Sequence, residues 1–377
     1  MILPTTKPDG LHKIPASSKA RALMVLLAGM VWLAPSGILA QEFSKRINVN
    51  VYGAIDYTVN RLGGRANNFF TLGEQDFFVT SRLSDRVSFL GETVVRFDSK
   101  TGTTFSASIE RAQIKYDFSS TGNHSMLIGK MHSPVNYWND VYHHGRLFFP
   151  TIDRPIAFSH FIPLHTMGVR LQGQNIGALN FGYDVMAGNG ISSTDFSKTG
   201  GNLSLMASVH IKPFDGMRVQ AGIYQDKIVN NLSGVHSGHS QNKSNFKGAV
   251  NFRLYTLSLS YFTNKFEFLN ESVINVSRTD SLGRAVNLSS YLYMGLRLSD
   301  TSIPYIAMDF IDVSDDELHV QHLDKLFIGL GYRYEFNSQL SAKVQLMRLA
   351  DIHLHDDQVP VPERDNYSFK VQFAYAL

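Results

Sequence analysis

From Ile47 onward, apolar and polar side chains take turns along the chain. Ile47, Val49, Val51, Ile55, Tyr57 and Val59, with Gly53 among them, share one phase, and Asn48, Asn50, Tyr52, Ala54, Asp56, Thr58 and Asn60 share the other. Alternate side chains of a strand point to opposite faces, so this pattern predicts a β-strand with one oily and one wet face. The reading recurs to the end. Val87, Phe89, Val95 and Phe97 oppose Ser88, Glu92, Arg96 and Asp98; the last segment sets Tyr367, Phe369, Val371, Phe373, Tyr375 and Leu377 against Ser368, Lys370 and Gln372. About sixteen such segments start near residues 47, 77, 87, 105, 125, 166, 178, 202, 217, 246, 257, 286, 304, 325, 340 and 367. Strands of ~9–11 residues suit a tilted crossing of a bilayer. In Phe105–Phe118 the phase slips near Glu110-Arg111, which predicts a bulge or a shifted boundary.

The links alternate in length. Short ones fall at Ser84–Arg86, Ser119–His124, Gly173–Gly177, Lys212–Gly216, Tyr255-Thr256, Ser299–Thr301 and Asn337–Gln339. Between them lie Arg61–Asp76, Met131–His165, Ala187–Gly201, Asp226–Asn245, Asn264–Ala285, Val313–Asp324 and Ala350–Asn366, with Ser99–Thr104 the one brief member. Tight turns on one rim and longer loops on the other describe an up-and-down barrel in a membrane. No proline sits in the middle of an alternating segment, where it would remove a ladder hydrogen bond.

The amino terminus adds an address. Lys7, Lys13, Lys19 and Arg21 precede the apolar run Ala22–Ala34, and small residues follow up to Ala40. That order predicts a secretory signal peptide over residues 1–40, with an apolar run too short to span a bilayer at ~20 residues. Taking its four Lys/Arg from 35 and its one Asp from 32 leaves 31 of each sign. The mature chain is therefore neutral, and with no basic excess or motif it offers nothing to nucleic acid. It has no cysteine, so an exported protein must be held by a large core or a closed barrel. A soluble β-sandwich or propeller also alternates. No fixed-period repeat supports a propeller, and large aromatics fill the apolar phase of nearly every strand.

Glu110-Arg111-Ala112-Gln113-Ile114-Lys115-Tyr116, leading into Leu127-Ile128-Gly129-Lys130-Met131-His132-Ser133-Pro134, resembles the strand, turn and strand that precede an inserted loop in Gram-negative porins. The resemblance is to the phosphate-selective and substrate-specific group, and covers most of residues 41–377 as an architectural pattern. The carboxyl end is similar to the recognition signal of outer-membrane barrels, although it closes on Leu377 where Phe is common. The resemblance implies an all-β fold: a transmembrane antiparallel up-and-down β-barrel of about sixteen strands, spanning residues 41–377. It further implies a third loop, residues 131–165, folded inward to constrict the channel, and a homotrimer.

The residues point the same way. Tyr137, Trp138, Tyr142, Phe148, Phe149, Phe158 and Phe161 make residues 131–165 too aromatic to wave in water. Trp138, His143, His144, Arg146, Asp153 and Arg154 are the candidate constriction residues. On the alternation, the pore wall carries Arg82, Arg96, Arg111, Lys115, Arg170, Arg218, Lys247, Arg253, Arg297, Arg333, Lys343 and Lys370. The acidic set is smaller: Asp56, Glu92, Asp98, Asp184, Asp309 and Glu335. A cationic wall favours anions. His143-His144, His236/His239, His319/His322 and His353/His355 are close pairs, but without Cys partners or an HExxH arrangement they define no metal site. Gly234-Val235-His236-Ser237-Gly238 offers Ser and His outside any strand-to-helix elbow, so neither an enzyme nor a cofactor is expected. The function expected is passive diffusion of small polar solutes, with anions preferred, across an outer membrane. The alternative is a plugged structural or adhesive barrel that binds a partner through its outer loops.

Overall fold

The computed structural model describes residues 47–62, 65–96, 106–143, 145–191, 203–229, 248–320, 322–351 and 366–377. The signal peptide expected over 1–40 lies outside the described residues, as do Asp98, His144, Lys247, the pairs His236/His239 and His353/His355, and residues 234–238.

Sixteen antiparallel strands close into one barrel, each beside its sequence neighbours. They are β1 (Ile47–Leu62), β2 (Arg65–Arg82), β3 (Val87–Arg96), β4 (Ser106–Asp117), β5 (His124–His132), β6 (His165–Ile176), β7 (Phe181–Gly188) and β8 (Ser204–Ile211), followed by β9 (Met217–Val229), β10 (Ala249–Phe262), β11 (Phe266–Thr279), β12 (Gly283–Leu296), β13 (Ser302–Asp312), β14 (Lys325–Asn337), β15 (Leu340–Asp351) and β16 (Asn366–Ala376). β16 returns to β1, Tyr52 opposite Ala376 and Arg61 opposite Tyr367. Closure leaves no strand edge, which makes a sheet compatible with lipid.

The polarity is inverted relative to a soluble protein. Ile114, Ile128, Val185, Leu205, Leu257, Leu288, Ile306, Leu330, Leu346 and Phe373 are exposed on the outer wall, while Asp76, Glu92, Gln220, Glu271, Asn287, Asp309, Lys343 and Gln372 are buried inside. An exterior of this composition belongs in hydrocarbon. Among the described residues no helix is long and apolar enough to cross a membrane; crossing falls to the strands.

The strand number agrees with the alternation, but two differences cancel within it. β10 runs unbroken through Tyr255-Thr256, where a turn is expected, and β11 occupies the middle of Asn264–Ala285, expected as a link. The cause in β10 is a switch of polarity on one face. Val250, Phe252 and Leu254 point inward into the apolar cluster around Tyr224, Leu269 and Val273, whereas Thr256, Ser258 and Ser260 continue the same face as polar groups. Read linearly, that switch imitates two strands. β11 puts Asn270 and Ser272 outward and Leu269 and Val273 inward, so it shows no clean alternation. β2 likewise begins at Arg65, inside the expected link Arg61–Asp76.

The slip at Glu110-Arg111 is a β-bulge. Arg111 faces Glu92 and Ile109 faces Thr93, which leaves Glu110 as the extra residue of β4. A bulge re-aims side chains, and here both neighbours turn to interior partners: Arg111 bonds Glu92, and Glu110 takes Arg96 and His165, each at 2.8 Å.

Candidate functional site

Residues 133–164, between β5 and β6, contain a π-helical turn (Trp138–Tyr142), a 3-10 turn (Arg146–Phe148) and one α-helix, α1 (Ile156–His160). Turns this short cannot satisfy their own backbone, and buried peptide groups need partners. The barrel wall supplies them. The Trp138 N–H donates to Glu271 (2.8 Å), Gly145 to Asp76 (3.0 Å), Ile152 to Gln345 (3.1 Å) and Ile156 to Asp309 (2.6 Å). In return Gln220 donates to the Pro134 carbonyl (3.2 Å), Arg333 to Pro150 (3.2 Å) and Lys343 to Arg146 (2.6 Å). All these wall residues point inward from β2, β9, β11, β13, β14 and β15, so the segment bonds across the interior. Gly222 of β9 permits one close approach, because a Cβ there would collide with the Val135 carbonyl. Trp138 is fully buried, with its ring 5.1 Å from Tyr142, 5.3 Å from Phe149 and 5.5 Å from Tyr291.

Charge is organised in pairs. Arg170 and Arg218 meet at Asp140, at 3.4 and 2.6 Å, and Arg170 also holds Asp184 at 2.6 Å. Burial alone would raise the Asp140 carboxyl; the two guanidiniums outweigh it and hold it below the usual range. Glu74 gathers Arg154 (2.5 Å), Arg96 (3.1 Å) and Arg146 (3.6 Å). Glu267 takes Arg297 (2.7 Å) and Arg333 (2.8 Å), and both arginines also reach Glu335. Asp153 accepts from Lys370 and from Gln345 at 2.8 Å. In several pairs the acid lies deeper than the base: Arg96 is 37% exposed against 7% for Glu110, Arg111 19% against 0% for Glu92, and Arg297 23% against 1% for Glu267.

The residues singled out from the sequence therefore take different positions. Arg146, Asp153 and Arg154 meet wall charges, and Trp138 and His143 are buried. Glu92, Arg96, Arg111, Arg170, Arg218, Arg297 and Arg333 belong to the interior pairs. Lys115 pairs with Asp117 at 2.9 Å, and Arg82 is exposed beside Asp85 at the rim of short turns. Arg253 contradicts its inward placement: it is exposed on the outer face of β10, one residue out of phase with buried Phe252 and Leu254. The alternation missed Glu74, Glu267 and Glu271 because it assigned their stretches to links. That omission inflated the cationic share of the wall.

Two cavities flank the segment. One of about 490 Å³ lies toward the short turns, between Tyr142, Pro150 and the Arg297, Arg333 and Glu335 side chains. The other, of about 350 Å³, lies toward the long links, lined by Asp153, Arg154, Asp309, Gln345 and Lys370.

Sequence comparison gives no match to any protein-family model or to any curated protein. Structure comparison does. An anion-selective porin from Comamonas acidovorans superposes with a TM-score of 0.61 at 12% identity, over 88% of this chain and 100% of that one. OmpF of Salmonella typhi, in complex with daunomycin, gives 0.59 at 11% identity over 88% and 97%. The outer-membrane channel DcaP of Acinetobacter baumannii gives 0.58 at 12% over 88% and 97%. The chain has the porin fold. Identity this low carries architecture alone; the chemistry of this barrel lies in its own interior.

Proposed function

We propose that the protein is a porin-type channel of a Gram-negative outer membrane, exported by residues 1–40 and passing small polar solutes by diffusion. The observation that carries this reading is the pair of charged cavities on either side of residues 133–164, inside a sixteen-strand barrel too wide for side chains alone to fill. The path runs past Arg146, Asp153 and Arg154 along β13–β16, where the segment narrows it. No step of chemistry is needed: width excludes, and wall charge selects.

A mild anion preference is the finer part of the proposal. It rests on the depth of the ion pairs, since Arg96, Arg111 and Arg297 stand nearer the water than the carboxylates that neutralise them. We also infer a homotrimer. Asn270, Ser272 and Ser290 form a polar patch on the outer wall of β11 and β12, with the Ser272 and Ser290 hydroxyls 3.3 Å apart. A neighbouring copy would take that patch out of lipid. OmpT of Vibrio cholerae, similar at a TM-score of 0.59 and 12% identity, is solved in a trimer form.

The test is single-channel recording from the refolded protein, residues 41–377, in a planar bilayer. Discrete conductance steps support the channel. A folded barrel without conductance sinks it in favour of the plugged, partner-binding barrel, which the dense apolar packing around Trp138 would suit.

A further inference from the structure

His132 is the last residue of β5, His165 the first of β6, and the two are paired across the ladder. His143 comes from the inward segment and stacks on them, its ring 3.6 Å from that of His132 and 4.5 Å from that of His165. All three are buried. One ring nitrogen of each lies within 4.8 Å of the other two. Bonds of about 2.0–2.1 Å to one tetrahedral ion separate ligand nitrogens by roughly 3.4 Å, so movements under about 1 Å complete the geometry.

The protonation of His143 is fixed by its neighbour. The Asn139 amide nitrogen donates to the Ser133 carbonyl (2.8 Å) and the Leu164 carbonyl (3.1 Å), so its oxygen faces His143 Nδ1 at 2.5 Å as an acceptor. Nδ1 therefore carries the proton, and Nε2 presents a lone pair. This is the outer-shell arrangement that orients a metal-ligating imidazole. Two carboxylates stand beside the other rings: Glu110 is 2.8 Å from His165 Nε2, and Glu92 is 3.6 Å from His132 Nε2. Three imidazoles with adjacent carboxylate charge suit a borderline divalent ion, and Zn²⁺ above the hard cations.

We propose that His132, His143 and His165 form a Zn²⁺ site that ties the inward segment to the wall at its neck. The site would also reach the channel. The His143 carbonyl accepts from Arg154 at 2.8 Å, and Arg154 holds Glu74, so an ion on His143 steadies a cation of the narrow zone. Only that last consequence rests on the porin reading.

The experiment uses tag-free, chelator-treated protein refolded in detergent, titrated with Zn²⁺ by calorimetry, with bound metal counted after desalting. One Zn²⁺ per chain is expected. His143→Ala and His165→Ala should each abolish that stoichiometric binding while the β circular-dichroism signal is retained. Asn139→Ala, which removes the orienting acceptor together with the amide's bonds to Ser133 and Leu164 but no ligand, should weaken it about 10–100-fold. No bound Zn²⁺ in the unmodified chain, or full binding in His143→Ala, overturns the site. Channel recordings with and without Zn²⁺ are read separately: conductance without Zn²⁺ binding removes the metal site and leaves the porin, and binding without conductance does the reverse.

Discussion

Arg96 and Asp140 show how single side chains set the interior. Arg96 is the most exposed member of its cluster with Glu74 and Glu110. Arg96→Glu should move the reversal potential in a salt gradient toward cations, a several-fold change in permeability ratio; an unmoved potential would remove Arg96 from the path. Asp140 acts on stability. Held below its unfolded value near 3.9, it binds fewer protons folded than unfolded between the two values. Its contribution is therefore complete above about pH 4 and is lost as pH falls through the folded pKa. Asp140→Asn leaves Arg170 and Arg218 facing each other and should cost about 3 kcal/mol at neutral pH. Urea titrations of both proteins should converge at acid pH, where the wild-type carboxyl is also neutral. The sequence revealed the arginines because their strands alternate cleanly. It concealed Asp140, which lies in no strand, and His132 and His165, which stand 11 and 22 residues from His143 and form no short motif.

The elements show where linear pattern and tertiary packing part. The bulge in β4 was legible because it breaks a strong alternation at one place. The continuity of β10 was not: its inward face changes from Phe252 and Leu254, against apolar neighbours, to Thr256 and Ser258, against the segment backbone. The neighbours that explain this change come from distant sequence. The inward segment is the element most open to test. Trp138 is its largest buried side chain, and Trp138→Ala should cost about 3–5 kcal/mol of local packing. Conductance should become larger and noisier with the barrel intact by circular dichroism; unchanged single-channel traces would mean that the segment does not border the path.

As a whole, the molecule depends on an apolar exterior and a wet interior. Leu330, midway along β14, is exposed on the outer wall. Leu330→Arg should destabilise the barrel in lipid by about 2–4 kcal/mol, the cost of a guanidinium at the bilayer midplane. Refolding titrations in vesicles measure it, and a neutral substitution would place that face away from hydrocarbon. Architecture was the most legible level, because sixteen alternations survive one split and one omission. Selectivity was the least, since three acids hidden in misassigned links change the charge balance of the wall. In the proposed channel, water and ions pass between residues 133–164 and the wall. Single-channel conductance of the refolded chain, recorded under a KCl gradient, tests it most directly. Discrete steps with a reversal potential displaced modestly toward Cl⁻ are expected. A correctly folded barrel that conducts nothing would contradict it.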